Sequence, residues 1–185
     1  MESISVNGRE YRILRLLGRG KGGYSYLTER EGRQFVVKQI HHEPCDYYTF
    51  GNKLEAELTD FRRLREAGIR IPQLLEADTA NERILKEYIP GPTVFELVRD
   101  GALTEEHLAQ VRTMAEQARA AGLHIDYFPT NFIPRNGELI YVDYECNSYM
   151  EQWDFAHWGV KYWSRSEAFL TYAKEHGHDV SQTLP

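Results

Sequence analysis

The chain has 185 residues, of which 42% are hydrophobic and 27% charged, and it carries a net charge of −6. This composition fits a globular unit with a sizeable core, and the acidic balance argues against bulk attraction to nucleic acid or anionic lipid. No apolar run approaches the roughly 20 residues of a bilayer span. Residues 1–10 lack a leader-like apolar core, and Cys45 and Cys146 show no paired metal or disulfide spacing. The expectation is a cytoplasmic protein with reduced thiols that engages neither nucleic acid nor membrane.

The first third reads as strands. Residues 11–17 are apolar-rich, residues 18–23 break the pattern, and residues 24–28 resume it. After a turn at Glu31-Gly32, residues 34–40 form a β-branched and aromatic run. Short connections imply an antiparallel meander. A helix is predicted over residues 50–67 from the recurrence of Leu54, Leu58, Phe61 and Leu64, with Gly68 as its stop. Two further strands are predicted at 74–77 and 83–89, and Pro90-Gly91-Pro92 is a firm break.

Helices dominate beyond the break. A short one is expected over 93–100 and a longer one over 104–121, capped by Thr104. A strand pair at 131–134 and 138–143, turned by Asn136-Gly137, follows. Residues 151–176 read as aromatic-rich and helical. The order gives an α+β fold with a hinge near residue 90, divided into residues 1–89 and 90–185.

Chemistry concentrates in a few places. Gly18-Arg19-Gly20-Lys21-Gly22-Gly23 lies between two predicted strands, and glycines at 18, 20 and 23 would let a turn approach phosphates closely. A dinucleotide fold would require a helix immediately afterwards, whereas a strand follows. Lys38 sits inside an apolar strand and needs a carboxylate partner. Helical phase places Glu57 on the apolar face and Glu55 on the polar one, so Glu57 is the expected partner. Asp126, on the loop His124-Ile125-Asp126-Tyr127-Phe128-Pro129-Thr130-Asn131, is suited to accept a hydroxyl proton. Asn131 and Asp143 are hard oxygen donors of the kind magnesium takes. His41, His42, Cys45 and Asp46 lack a second ligand pair and do not make a zinc site. Trp153, Trp158 and Trp163 are read as packing residues.

Taken in order, these motifs resemble the protein-kinase-like superfamily over about residues 10–160. The resemblance implies a bilobal fold with an antiparallel N-lobe sheet plus one helix, and a truncated, mainly helical C-lobe. It implies ATP and Mg2+ as cofactors. Lys38 would touch the inner phosphates and Glu57 would hold it, Asp126 would be the base, and Asn131 and Asp143 would hold the metal. The backbone of Glu87 and Ile89 would meet adenine. Asp154 is similar to the acid that braces the catalytic loop, and His124 to its structural histidine.

The pattern also departs from the superfamily. Asp143 is followed by Tyr144-Glu145, which is similar to aminoglycoside phosphotransferases and lipopolysaccharide (Kdo) kinases. Phe128 stands where protein kinases carry a lysine, so a cation on the transferring group is missing. Only about forty residues follow Asp143, too few for the peptide-docking helices. The implied activity is γ-phosphoryl transfer to a hydroxyl of a protein or small molecule. The alternative is a nucleotide-binding pseudokinase that serves as a scaffold.

Overall fold

Three two-residue turns, Asn7-Gly8, Glu31-Gly32 and Asn136-Gly137, hold both residues at positive φ, the geometry that matches the twist of flanking antiparallel strands. The first joins β1 (Ser3–Val6) to β2 (Arg9–Arg19), and the second joins β3 (Gly23–Arg30) to β4 (Arg33–Ile40). In this computed structural model, which describes residues 2–43 and 52–178, the chain forms two units. One comprises residues 1–61 with 72–88, the other residues 62–71 with 89–185.

The first unit is a curled antiparallel sheet. Its strand order is β1-β2-β3-β4-β6-β5, where β5 is Leu74–Asp78 and β6 is Arg83–Glu87. The curl brings the two rims together through side chains. The Asp78 carboxylate accepts from the Asn7 amide at 2.7 Å, the Asn7 side chain donates to Glu76 at 2.9 Å, and Arg83 donates to the Ser5 carbonyl at 2.6 Å. Inside the curl, Ile4, Val6, Tyr11, Val37 and Leu85 form a buried cluster. Alternation along β4 therefore turns Lys38 to the opposite face from Val37.

Helix α1 (Lys53–Glu66) starts in the first unit and ends in the second. Asn52 caps it by accepting from the Glu55 amide at 3.0 Å. Leu54, Glu57 and Leu64 are buried and Glu55 is exposed, as the helical phase requires.

The second unit is mainly helical. It contains α2 (Val94–Arg99) and α3 (Glu105–Ala120), capped by Thr93 and Thr104, and α4 (Glu167–Glu175), capped by Ser166. Two small antiparallel pairs complete it: β7 (Leu123–Ile125) with β10 (Cys146–Ser148), and β8 (Phe132–Arg135) with β9 (Glu138–Tyr141). Its core centres on Leu64, Val111, Met114, Phe132, Trp163 and Phe169.

The structure changes several sequence expectations. Residues 1–10 contain a strand, announced by Asn7-Gly8 but too short for its alternation to stand out. The β7–β10 pair was missed because three-residue strands carry no readable period. Residues 129–131 form a 3-10 turn, because Pro129 at its first position cannot donate to a ladder. The region 151–176 is mostly 3-10 turns and bends before α4, its aromatics packing irregularly. β6 and β9 stop at Glu87 and Tyr141, short of residues 89 and 143. Cys45, Asp46 and the predicted start of the helix at residue 50 lie outside the described residues; Cys146 is buried. No helix among the described residues is long and apolar enough to cross a membrane.

Candidate functional site

The glycine-rich turn leaves β2 through a register shift between Leu16 and Gly18, and the Gly20 amide closes it by donating to the Gly23 carbonyl at 2.9 Å. The glycines are not all needed for the same reason. A Cβ at Gly18 or Gly20 would meet nothing within 4 Å, whereas one at Gly23 would lie 2.2 Å from the Gln39 carbonyl oxygen. Gly23 is required by close approach of β4. A Cβ at Gly22 would lie 3.6 Å from Lys38 Nζ, so the turn passes directly beside the ammonium.

Lys38 Nζ lies 2.7 Å from Glu57 Oε2, with side chains only 14% and 9% exposed. The other Glu57 oxygen is buried without a hydrogen bond among the described residues. Two buried opposite charges are retained here at a desolvation cost that their attraction roughly offsets. Such a pair fixes the direction of the ammonium.

Lys53 is a further residue in this unit that the sequence reading passed over. It is 6% exposed and donates to the carbonyls of His41 at 2.6 Å and Lys21 at 3.4 Å. A cation in the first turn of a helix opposes the macrodipole. That locally unfavourable placement is the signal that was available, and here the side chain holds the glycine turn from beneath. Tyr24 and then Arg19 donate to Glu43, which holds the Glu43 carboxyl below its ordinary value.

In the second unit Asp126 is exposed at the end of β7. Its Oδ1 accepts from the Phe128 amide at 3.0 Å, which orients the carboxylate, while Oδ2 has no protein hydrogen bond among the described residues. Asn131 Nδ2 donates to the Asp126 carbonyl at 3.3 Å, and the Val142 amide donates to the Asn131 carbonyl at 2.9 Å. With its nitrogen so used, the Asn131 side chain has its oxygen left as an acceptor, the donor type a hard cation takes. Asp143 Oδ1 accepts from the Tyr144 amide at 2.7 Å. Asp126 and Asp143 both act on the Tyr141 hydroxyl, which burial first and then these acids push well above the ordinary tyrosine value. The structure thus brings Asp126 and Asp143 near one buried phenol, with Asn131 tied to the Asp126 carbonyl.

The loop rests on a firm base. Trp163 Nε1 donates to the Tyr127 carbonyl at 2.8 Å, and a Cβ at Gly159 would sit 2.6 Å from Tyr127 Cβ. Among the described residues the buried His124 Nδ1 has no partner, and burial lowers the His124 pKa against the pull of Asp126 and Asp154. Asp154 corrects the brace expected from the resemblance. Its carboxylate accepts from Tyr149 at 2.9 Å and from the His157 amide and ring at 2.9 and 2.8 Å, not from the 124–131 backbone. Phe128 points into an aromatic group, with ring centroids 4.6 Å from Tyr172 and 5.1 Å from Tyr162.

The adenine contact expected at Glu87 and Ile89 has one constraint. The Glu87 amide already donates to the Gln73 carbonyl at 2.9 Å. Ile89 is buried at 3% exposure.

No family model matches the chain. It is similar to the "EKC/KEOPS complex subunit bud32" of Dictyostelium discoideum, 24% identical over 144 residues, or 70% of this chain and 57% of that protein. It is similar to the "KEOPS complex subunit Bud32" of Pyrococcus abyssi, 33% identical over 87 residues, or 45% of this chain and 39% of that one. It also matches the "Putative serine/threonine-protein kinase YrzF" of Bacillus subtilis, 29% identical over 147 residues, or 76% and 64% respectively. The chain therefore spans less than two thirds of each of these relatives. None of the three is named as an aminoglycoside or lipopolysaccharide kinase. Bud32 and serine/threonine-kinase-like relatives, together with an α+β architecture consistent with a bilobal kinase-like fold, support placement in the protein-kinase-like superfamily.

Proposed function

We propose that this chain is an ATP- and magnesium-dependent phosphotransferase that moves the γ-phosphoryl group to a hydroxyl of a protein Ser/Thr or a small molecule. The observation that carries the reading is the buried Lys38–Glu57 pair beside the glycine turn. A lysine held this way on a strand, with glycine backbone at its head, is suited to a polyphosphate. In this reading Lys38 and the turn at Gly18, Gly20 and Gly23 receive the phosphates, and the backbone at Glu87 and Ile89 receives adenine. Asn131 and Asp143 hold magnesium, which when bound screens charge on the phosphates.

Asp126 Oδ2 accepts the proton of the acceptor hydroxyl as its oxygen bonds to the γ-phosphorus and the bond to ADP breaks. The Asx turn to Phe128 holds that carboxylate ready. We place the activity in the cytoplasm, where nucleotide and magnesium are abundant, and extend the reading to a protein partner because two relatives are named as complex subunits.

Transfer and binding separate in two variants. Asp143→Ala should lose magnesium-dependent nucleotide binding in calorimetry. Asp126→Ala should bind nucleotide as before and lose labelled-phosphate transfer by about 10²-fold or more. Transfer retained by Asp126→Ala would refute the role of that carboxylate.

A second reading, a nucleotide-binding scaffold without transfer, draws support from Phe128. The ring at this position belongs to an aromatic cluster and supplies no cation to a transferring group. Nucleotide-induced stabilisation without any turnover of labelled ATP would select it.

A further inference from the structure

We propose that the Tyr141 hydroxyl is a positioning group that ties the Asp126 loop to the Asp143–Glu145 turn, so that base and metal donors are held as one unit. This rests on the phosphotransferase reading for its functional meaning, though the geometry stands without it. Tyr141 is fully buried. Its main chain is fixed independently: it pairs with Phe132 in the β8–β9 ladder, and its amide donates to the Arg70 carbonyl at 2.9 Å. Its ring packs on Phe132 with centroids 5.3 Å apart. The hydroxyl is thus delivered to one place.

At that place it does two things. It donates to the Glu145 carbonyl at 2.9 Å and accepts from the Asp126 amide at a longer 3.4 Å. A neutral phenol can give and receive in this way, and phenylalanine can do neither.

The two bonds belong to a closed circuit. Asn131 Nδ2 holds the Asp126 carbonyl, the Val142 amide holds the Asn131 carbonyl, and Val142 is bonded covalently to Tyr141. Base, amide donor and strand end form a ring, and the Tyr141 hydroxyl extends it to the turn that follows Asp143. Breaking the link at the hydroxyl removes one hydrogen bond from the Asp126 amide and one from the Glu145 carbonyl together, while leaving the ring packing in place.

Tyr141→Phe is the test. The variant should retain its melting temperature within a few degrees and its KM for ATP within about twofold. Its kcat should fall about tenfold, because small misplacement of a base costs rate more than binding. Amide hydrogen exchange should accelerate in residues 126–131 and 143–147 alone. In the unaltered protein, NMR should show a slowly exchanging Tyr141 hydroxyl proton close to the Asp126 amide. Unchanged kcat with unchanged exchange would overturn the proposal, and so would a freely exchanging hydroxyl, which decides the matter even if the variant does not fold. If the unaltered protein transfers no phosphate to any acceptor, the functional reading falls while the exchange measurements still judge the tether.

Discussion

Replacing Glu57 by Gln tests whether the Lys38 ion pair is kept for what it holds or for the stability it provides. At 2.7 Å and an effective dielectric near 20, the gross attraction is about 6 kcal/mol. Taking both ions out of water costs several kcal/mol each, so the pair contributes little net stability. Losing one partner is different: the remaining ammonium, 14% exposed, is left buried beside a neutral amide. The expected loss is about 3 kcal/mol, the lower end for a broken buried pair because some solvent reaches the lysine. Lys38→Met combined with Glu57→Met should recover most of that loss, since two apolar groups of similar volume satisfy the site, while neither variant binds nucleotide. Urea melts should be followed by circular dichroism, because Trp153, Trp158 and Trp163 all lie in the second unit and the first contains no tryptophan. A loss below about 1 kcal/mol for Glu57→Gln, or a double variant no more stable than the single, would refute the account of a pair kept for direction and not for stability.

Two further outcomes follow from local geometry. Gly159→Ala should cost about 1–3 kcal/mol, since its Cβ would fall 2.6 Å from Tyr127 and 3.0 Å from Phe155; the tryptophan emission of the second unit should shift, and an unperturbed melt would contradict the close approach. Asp78 is held below the ordinary carboxylate value by the Asn7 amide first and then by Asn81, against the opposing effect of burial. A depressed folded value means that its contribution is complete above the ordinary value of about 3.9 and is lost as pH falls through the folded one. The stability gap between the unaltered protein and Asp78→Asn should therefore be widest near neutrality and close below about pH 4; a gap that grows on acidification would reverse the assignment.

What could be read from the chain depended on how much local signal each feature carried. The strand meander, α1 and the Thr104 cap were legible because alternation, helical phase and a capping side chain are written in consecutive residues. Glu57 was distinguishable from Glu55 by phase alone, and the structure puts the former 2.7 Å from Lys38. Tyr141 was invisible as anything but a strand aromatic, since its role is set by Asp126 and Glu145, which only the fold brings to its hydroxyl. Lys53 offered a faint clue in its conflict with the helix dipole. The 151–176 region misled because dense aromatics look helical on average, whereas these rings interlock with one another and with Phe128 in turns that follow no single period. Asp154 was matched by motif to a role that its actual donors, Tyr149 and His157, do not give it.

The stitching of Asn7, Ser5 and Arg83 to the opposite rim has a consequence for solubility. A flat sheet of six strands would present two open margins to other molecules, each a template for adding a foreign strand. Here the margins face one another across polar side-chain links, so neither is offered to a neighbour. A chain beginning at residue 9 would lose that mutual screening, uncover β2 and β5 together, and be prone to self-association in the test tube well before its chemistry failed.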